Sequence, residues 1–358
     1  MALHTMIRSL VVLATAVLTG CASVGPGTVA VDRFDYSAAI ADSWKQQSLL
    51  NIVKLRYVDV PVFVDVSSIV AGYSLQTGVT VNGVVSSERA VQGNYGSLGG
   101  QAIYTDRPTI TYVPLTGEKF LRGLITPIDP RNIFFMLQSG YAADFILGLC
   151  VESLNGVRNR TALTGMVREA DPDFVRALQL LRELQADGGF GMRVEEDKDK
   201  RSTAVLFFQG DDLSADLREK AVEIRRLLRL SEHENKFVLT YSPMRGADHE
   251  LTVNSRSLFQ ILQTFASYVE VPDRHLQEGI AAPGFEHAEA SQRDIGLIRS
   301  GTTRPETAYA AVQYRGHWFW VDDSDWKTKR ALMAVMFFFT LADTGSPDRL
   351  PLVTIPAQ

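Results

Sequence analysis

The chain is poor in cysteine, in metal-ligand spacings and in long apolar runs. Two cysteines in 358 residues cannot form a disulfide framework, so stability must come from apolar cores. No run reaches the about 20 apolar residues that a membrane-spanning helix needs. The formal net charge is −5, without the clustered cations that nucleic acid or an anionic lipid surface requires. Six histidines are present, His4, His233, His249, His275, His287 and His317, and none stands in a His-Glu-x-x-His or His-x-His pair. Glu286-His287 with Glu289 is the nearest approach to a metal site, and no metal is expected there. Gly-x-Ser-x-Gly and phosphate-loop motifs are absent. Gly96-Ser97-Leu98-Gly99 has the wrong spacing for a nucleophile elbow. Asp322, Asp323 and Asp325 read as helix-capping residues, since an EF-hand would need further ligands and a closing Glu. No motif calls for a cofactor and no catalytic residue is assigned.

What is present begins at the front. Ile7-Arg8 precedes a ten-residue uncharged run, residues 9–18, which leads into Thr19-Gly20-Cys21. One cation, a short apolar core and small residues are the layout of a signal peptide. An ordinary signal peptide or a short anchor helix is the plainer alternative. Leu18-Thr19-Gly20-Cys21 resembles the lipobox of bacterial lipoprotein precursors, with Thr19 in place of the more usual Ala or Ser. The resemblance implies cleavage between Gly20 and Cys21, a diacylglyceryl group on Cys21 and acylation (palmitate) of the new amine. Three acyl chains would hold the protein to a membrane where one would not. Ala22 is not the Asp that retains lipoproteins of this class at the inner membrane, which implies the periplasmic face of the outer membrane. Loss of residues 1–20 removes Arg8 alone among charged residues and leaves a formal charge of −6. Cys150, in an apolar context, is then without a disulfide partner and reads as a small core residue.

The remaining sequence reads as α+β. Residues 21–32 form a lipidated linker, and 33–165 a domain made of a helix, 36–56, and a long antiparallel hairpin region. An αββαβ module occupies 166–245 and a C-terminal α+β module 246–358. Asp129-Pro130 opens a helix that Gly140 divides, Asn155-Gly156 marks a turn, and Asn254 or Ser255 caps a helix to about 268. Residues 273–306 read as a long loop, and 350–355 as a final strand. Trp44 reads as a core anchor.

Residues 69–81 alternate apolar and small or polar side chains without a charge, the period of a strand. A turn is expected at Asn82-Gly83 or within 86–89. The glycine-rich return arm, 90–105, alternates poorly, and 109–113 reads as a further strand. Two readings stay open. One is a twisted hairpin in a soluble sheet, with glycines at bulges. The other is a hairpin that each copy gives to an oligomeric barrel, since a spanning strand needs about 9–11 residues.

Trp318 and Trp320 share one strand face, with Phe319 on the other. They read as core residues, with a glycan- or peptide-stacking surface as the alternative. The stretches 47–57 and 314–323 are similar to uncharacterised bacterial lipoproteins, a likeness that implies no activity. The sequence therefore points to a non-enzymatic, outer-membrane-anchored protein with a structural, assembly or accessory role in an envelope or export complex. Its expected partners are the membrane and envelope proteins, with no nucleic acid and the oligomeric state left open. An oligomeric pore built within 62–113 is the first alternative, and a periplasmic enzyme or cell-wall glycan binder the second.

Overall fold

A computed structural model describes residues 29–70, 73–84, 95–163, 166–196, 202–209, 214–285 and 297–342. The lipobox with Gly20 and Cys21, the 86–89 turn, Glu286-His287-Glu289 and the 350–355 strand lie outside the described residues. The fold is α+β. It divides into two units, one built on residues 64–114 with the start of the first helix, the other on 44–63 and 115–346.

Helix α1 spans Val29–Arg56, with Asp32 in its first turn and Lys54 and Arg56 in its last, the charge order that suits the helix dipole. It therefore begins inside the stretch expected as linker. Past Gly27, residues 28–36 contain neither Gly nor Pro to stop it.

The first unit holds two pairs of antiparallel strands. Strands β1 (Val64–Val70) and β4 (Thr109–Pro114) form one pair, and β2 (Tyr73–Val84) and β3 (Tyr95–Asp106) the other. Val70 pairs with Thr109 and Tyr73 with Asp106, so the register is the same on both sides of residues 71–72. The single strand expected over 69–81 is thus shared between β1 and β2. The expected turn at Asn82-Gly83 is not there. Asn82 pairs with Ser97 and Gly83 with Gly96, and pairing continues to Val84 and Tyr95. Nor do glycines mark bulges in β2–β3, whose twelve pairs run without a shift.

The second unit holds a six-stranded sheet in the order β6-β5-β12-β11-β10-β9. Its strands are β5 (Val151–Leu154), β6 (Val157–Arg158), β9 (Phe190–Glu196), β10 (Ser202–Phe208), β11 (Lys236–Tyr241) and β12 (Glu250–Ser255), while β7 (Thr161–Leu163) and β8 (Met166–Arg168) pair with each other. This sheet runs across the boundaries expected at 165/166 and 245/246. β12 pairs in parallel with β11 and antiparallel with β5. The connection from β11 to β12 is residues 242–249, shorter than the dozen or more residues of an ordinary parallel crossover. With Pro243 and Gly246 in it, that stretch carries the composition of an inter-module linker.

Local chemistry explains the helices. Helix α2 is Glu118–Ile125. Asp129 caps α3 (Pro130–Gln138) with Pro130 at its first position, and Gly140, at φ 94°, separates it from α4 (Ala143–Cys150). The Gln185 side chain, at the end of α5 (Pro172–Ala186), accepts from Ala143 N–H and donates to Leu137 and Tyr141 carbonyls. Ser214 caps α6 (Ala215–Leu227). Helix α7 (Leu258–Ala266) is capped by Ser257 in a reciprocal box with Gln260. Asn254 and Ser255, the expected caps, belong to β12. The stretch expected as a loop over 273–306 contains helix α8 (Asp273–Gln277) and strand β13 (Arg299–Gly301). β13 pairs with β15 (His317–Val321), which also pairs with β14 (Ala310–Tyr314). Asp325 accepts from Thr328 N–H at the start of α9 (Trp326–Ala342).

One continuous apolar core fills this unit, from Leu49 and Ile52 through Phe174 and Phe237 to Phe319. Trp44 packs against it half-buried. Cys150 lies within it, fully buried, and burial pushes its thiol well above the ordinary range. At its centre Arg256, 1% exposed, pairs with Glu152 at 3.0 Å and donates to the carbonyls of Gly148, Leu149 and Arg160. A buried guanidinium is tolerated when it is paired in this way.

Candidate functional site

The site begins where α1 ends. Leu49, Ile52 and Val53 are fully buried, which anchors this face of the helix. Asn51 then clips the outgoing chain, donating to Val62 O at 2.8 Å and accepting from Val62 N–H at 2.9 Å. The chain turns through Val58, at φ 55°, a left-handed conformation that a β-branched residue rarely adopts. Arg56 and Tyr57 are buried by this turn.

A cleft of about 890 Å³ opens beside them, within the usual range of small-molecule sites. Val269, Val271, Leu276, Ile280, Phe285 and Leu297 give it apolar walls. A second cleft of about 470 Å³ includes Leu55, Val60, Pro61 and Phe259. Arg56, Val58, Ser267, Ala282 and Pro283 belong to both. Arg56 is 6% exposed, and its Nε and Nη1 have no hydrogen-bond partner. Burial lowers its pKa to about 10. The segment 282–285 straps over it. Ala282 N–H donates to Arg56 O at 2.9 Å and Phe285 N–H to Ser267 O at 3.3 Å. A methyl group at Gly284 would overlap the guanidinium, so only glycine allows this approach.

Next to Arg56 lies a polar aromatic cluster. Tyr57 Oη and His275 Nδ1 share a hydrogen bond of 2.8 Å. Burial raises the Tyr57 pKa, which keeps its O–H available to donate. The His275 and His317 rings meet edge to face at 5.2 Å. Tyr314 O–H donates to Asp59 Oδ2 at 2.6 Å. That bond, with Val60 N–H, holds the Asp59 carboxyl below its usual value. The Arg315 guanidinium lies 5.3 Å from the centre of the Tyr57 ring and 5.6 Å from that of Tyr314. Arg315 and Gly316, at φ 48° and 78°, form the hairpin turn that presents it. The cluster ties α1, α8 and the β14–β15 hairpin together. It contains no serine, threonine or cysteine, and no group of three metal-ligating side chains occurs among the described residues.

Trp318 and Trp320 share one face of β15, as alternation requires, and Phe319 on the other face is fully buried. Both indoles are half-buried. The Arg304 guanidinium lies 5.4 Å from the Trp318 ring centre, and Gly301 lies against the Trp320 indole. Neither tryptophan is among the residues lining the larger cleft. Sequence reasoning missed Arg56, Tyr57, Asp59, His275 and Arg315 as a group. The one signal in the sequence was the pair of stretches 47–57 and 314–323, singled out by an expected resemblance to bacterial lipoproteins, because the end of the first and the start of the second meet here.

The ribbon of the first unit offers a different kind of surface. Its register puts Val79 opposite Gly100 and Val81 opposite Leu98, all on one side. Val79, Val81 and Leu98 are each about three-quarters exposed, at 75%, 73% and 76%. The other side carries Gln76, Gly78, Thr80 and Asn82 facing Ile103, Gln101, Gly99 and Ser97. The return arm, poorly alternating when read alone, thus falls into phase with its partner strand. No family model, curated protein or solved structure matches the chain.

Proposed function

We propose that this is a lipid-anchored, non-enzymatic protein of the periplasmic face of the outer membrane, and that it serves an envelope complex as an assembly component. Its docking element is the β2–β3 ribbon and the occupant is a protein partner that adds an uncharged strand. One observation carries this. Twelve residue pairs form a ladder, no third strand among the described residues pairs with either edge of it, and from Tyr73 to Val84 and Tyr95 to Thr105 it holds no charge and no proline. Natural edge strands are normally guarded by lysine, proline or a covering element. A two-stranded ribbon alone is marginal in water. An unguarded ladder of this length supports strand addition, in which backbone hydrogen bonds supply the affinity. The anchor rests on the lipobox resemblance at Leu18-Thr19-Gly20-Cys21.

The test has two arms in the native host. Labelled palmitate should be incorporated by the wild type and not by Cys21→Ala. A chain in which residues 73–106 are replaced by a short Gly-Ser turn should fold, be lipidated and lose its place in a larger assembly on native gels. An unlabelled wild type overturns the anchor, and an unchanged assembly overturns the docking role. The pore is the second reading, favoured by strand length. Twelve residues exceed the about 9–11 that span a bilayer, and the ladder has one apolar and one polar uncharged side. Detergent-resistant homo-oligomers with conductance, both lost on removing 73–106, would select it over strand addition to another protein.

A further inference from the structure

Arg256 and Arg56, both buried in the second unit, differ in one respect. Arg256 has a carboxylate and carbonyls around it. Arg56 is 94% buried by exposure, has no ion pair among the described residues and leaves Nε and Nη1 unpartnered. A buried, unpaired guanidinium costs several kcal/mol, a cost that an anion bound to it would offset.

We propose that the larger cleft binds an apolar monocarboxylate, with Arg56 as the receptor for its carboxylate. The guanidinium fork matches a carboxylate in two parallel hydrogen bonds. The apolar walls from Val269 to Leu297 take the rest of the molecule. Among the described residues lining this cleft, Arg56 is the only cation. The other charged lining groups, Glu270 and Asp273, are exposed acids, so a second negative charge on the ligand would meet repulsion. This selects a single carboxylate over a phosphate dianion or a dicarboxylate. The strap 282–285 covers the guanidinium, so the ligand enters by lifting a segment held by two hydrogen bonds. Binding requires this small opening, and the left-handed turn at Val58 holds Arg56 in place from the other side. The inference is independent of the ribbon and of the anchor.

The experiment is calorimetric titration of the full chain, purified in nonionic detergent, with octanoate, octanamide and octanedioate, each corrected by a detergent-only titration. Octanoate should bind saturably. Octanamide and octanedioate should bind about ten- to hundred-fold more weakly, the range for losing a charged hydrogen bond. Arg56→Met should lose octanoate affinity by the same factor while melting at or above the wild-type temperature, because it removes an unpaired buried charge. Arg56→Lys, which keeps the charge without the fork, should fall between them. Equal binding of octanoate and octanamide overturns the proposal, as does full affinity in Arg56→Met. So does a large drop in melting temperature of Arg56→Met and Arg56→Lys with no octanoate binding by the wild type, which would make Arg56 structural.

Discussion

The six-stranded sheet and the β2–β3 ribbon use similar residues to opposite ends. In the sheet, Leu206, Phe237, Leu251 and Val253 are buried to within 1%, covered by helices that have their own caps. In the ribbon, Val79, Val81 and Leu98 stand about three-quarters exposed, and among the described residues no strand pairs with either ladder edge. Burial of a large apolar side chain contributes roughly 1.5–3 kcal/mol, so the sheet carries stability and the ribbon carries almost none. Apolar residues held in a regular ladder without that return are what an interaction element needs.

Thiol chemistry should separate the two regions most widely. Leu98→Cys should react with iodoacetamide in the folded chain, while Cys150 should react only through unfolding, at a rate lower by roughly a thousand-fold or more. Comparable rates would mean that the core around Cys150 is open. The Cys150 pKa is raised in the folded state, so its contribution to stability is present below the ordinary value of 9.0 and is lost as pH rises past it. Cys150→Ala should flatten that alkaline decline in a melting series.

Next comes Phe237→Ala, which should cost about 3–5 kcal/mol in denaturant melts. Arg256→Met should cost less, about 1–3 kcal/mol, because it takes a donor from the Leu149 and Arg160 carbonyls, while Glu152 keeps Arg168 and Gly148 O keeps Asn159. Arg256 and Arg56 make the same comparison inside one unit, since the substitution that damages the satisfied network should relieve the unsatisfied one. Smallest of all, Val81→Ser with Leu98→Ser should change stability by no more than about 0.5 kcal/mol and still abolish assembly. A loss of several kcal/mol would show that the ribbon's apolar side is already covered within the protein.

Much of the fold was legible because punctuation was local. Asp129-Pro130, Gly140 and Asn155-Gly156 each mark a boundary that the structure keeps. What was not legible is long-range. Nothing near β12 announces that it pairs in parallel with β11 and antiparallel with β5, and a short connection with Pro243 and Gly246 reads as a break. The ribbon's register was hidden for a different reason. Gly96, Gly99 and Gly100 carry no side chain to show a phase, which appears only when Val81 is set against Leu98. The candidate site was least legible. Tyr57 and His275 are 218 positions apart and Asp59 and Tyr314 are 255 apart, and a buried arginine looks like any other arginine until its partners can be counted.

An assembly role for the ribbon requires a partner within reach of its apolar side in the cell. The most direct measurement places a photo-crosslinking benzoylphenylalanine at position 98 in growing cells, with the exposed Val175 of α5 as the control position. The account requires a crosslinked adduct of fixed mass from position 98, absent at 175 and absent when Val81→Ser is added. Adducts of equal yield from both positions, or none from position 98 at native expression, would contradict it.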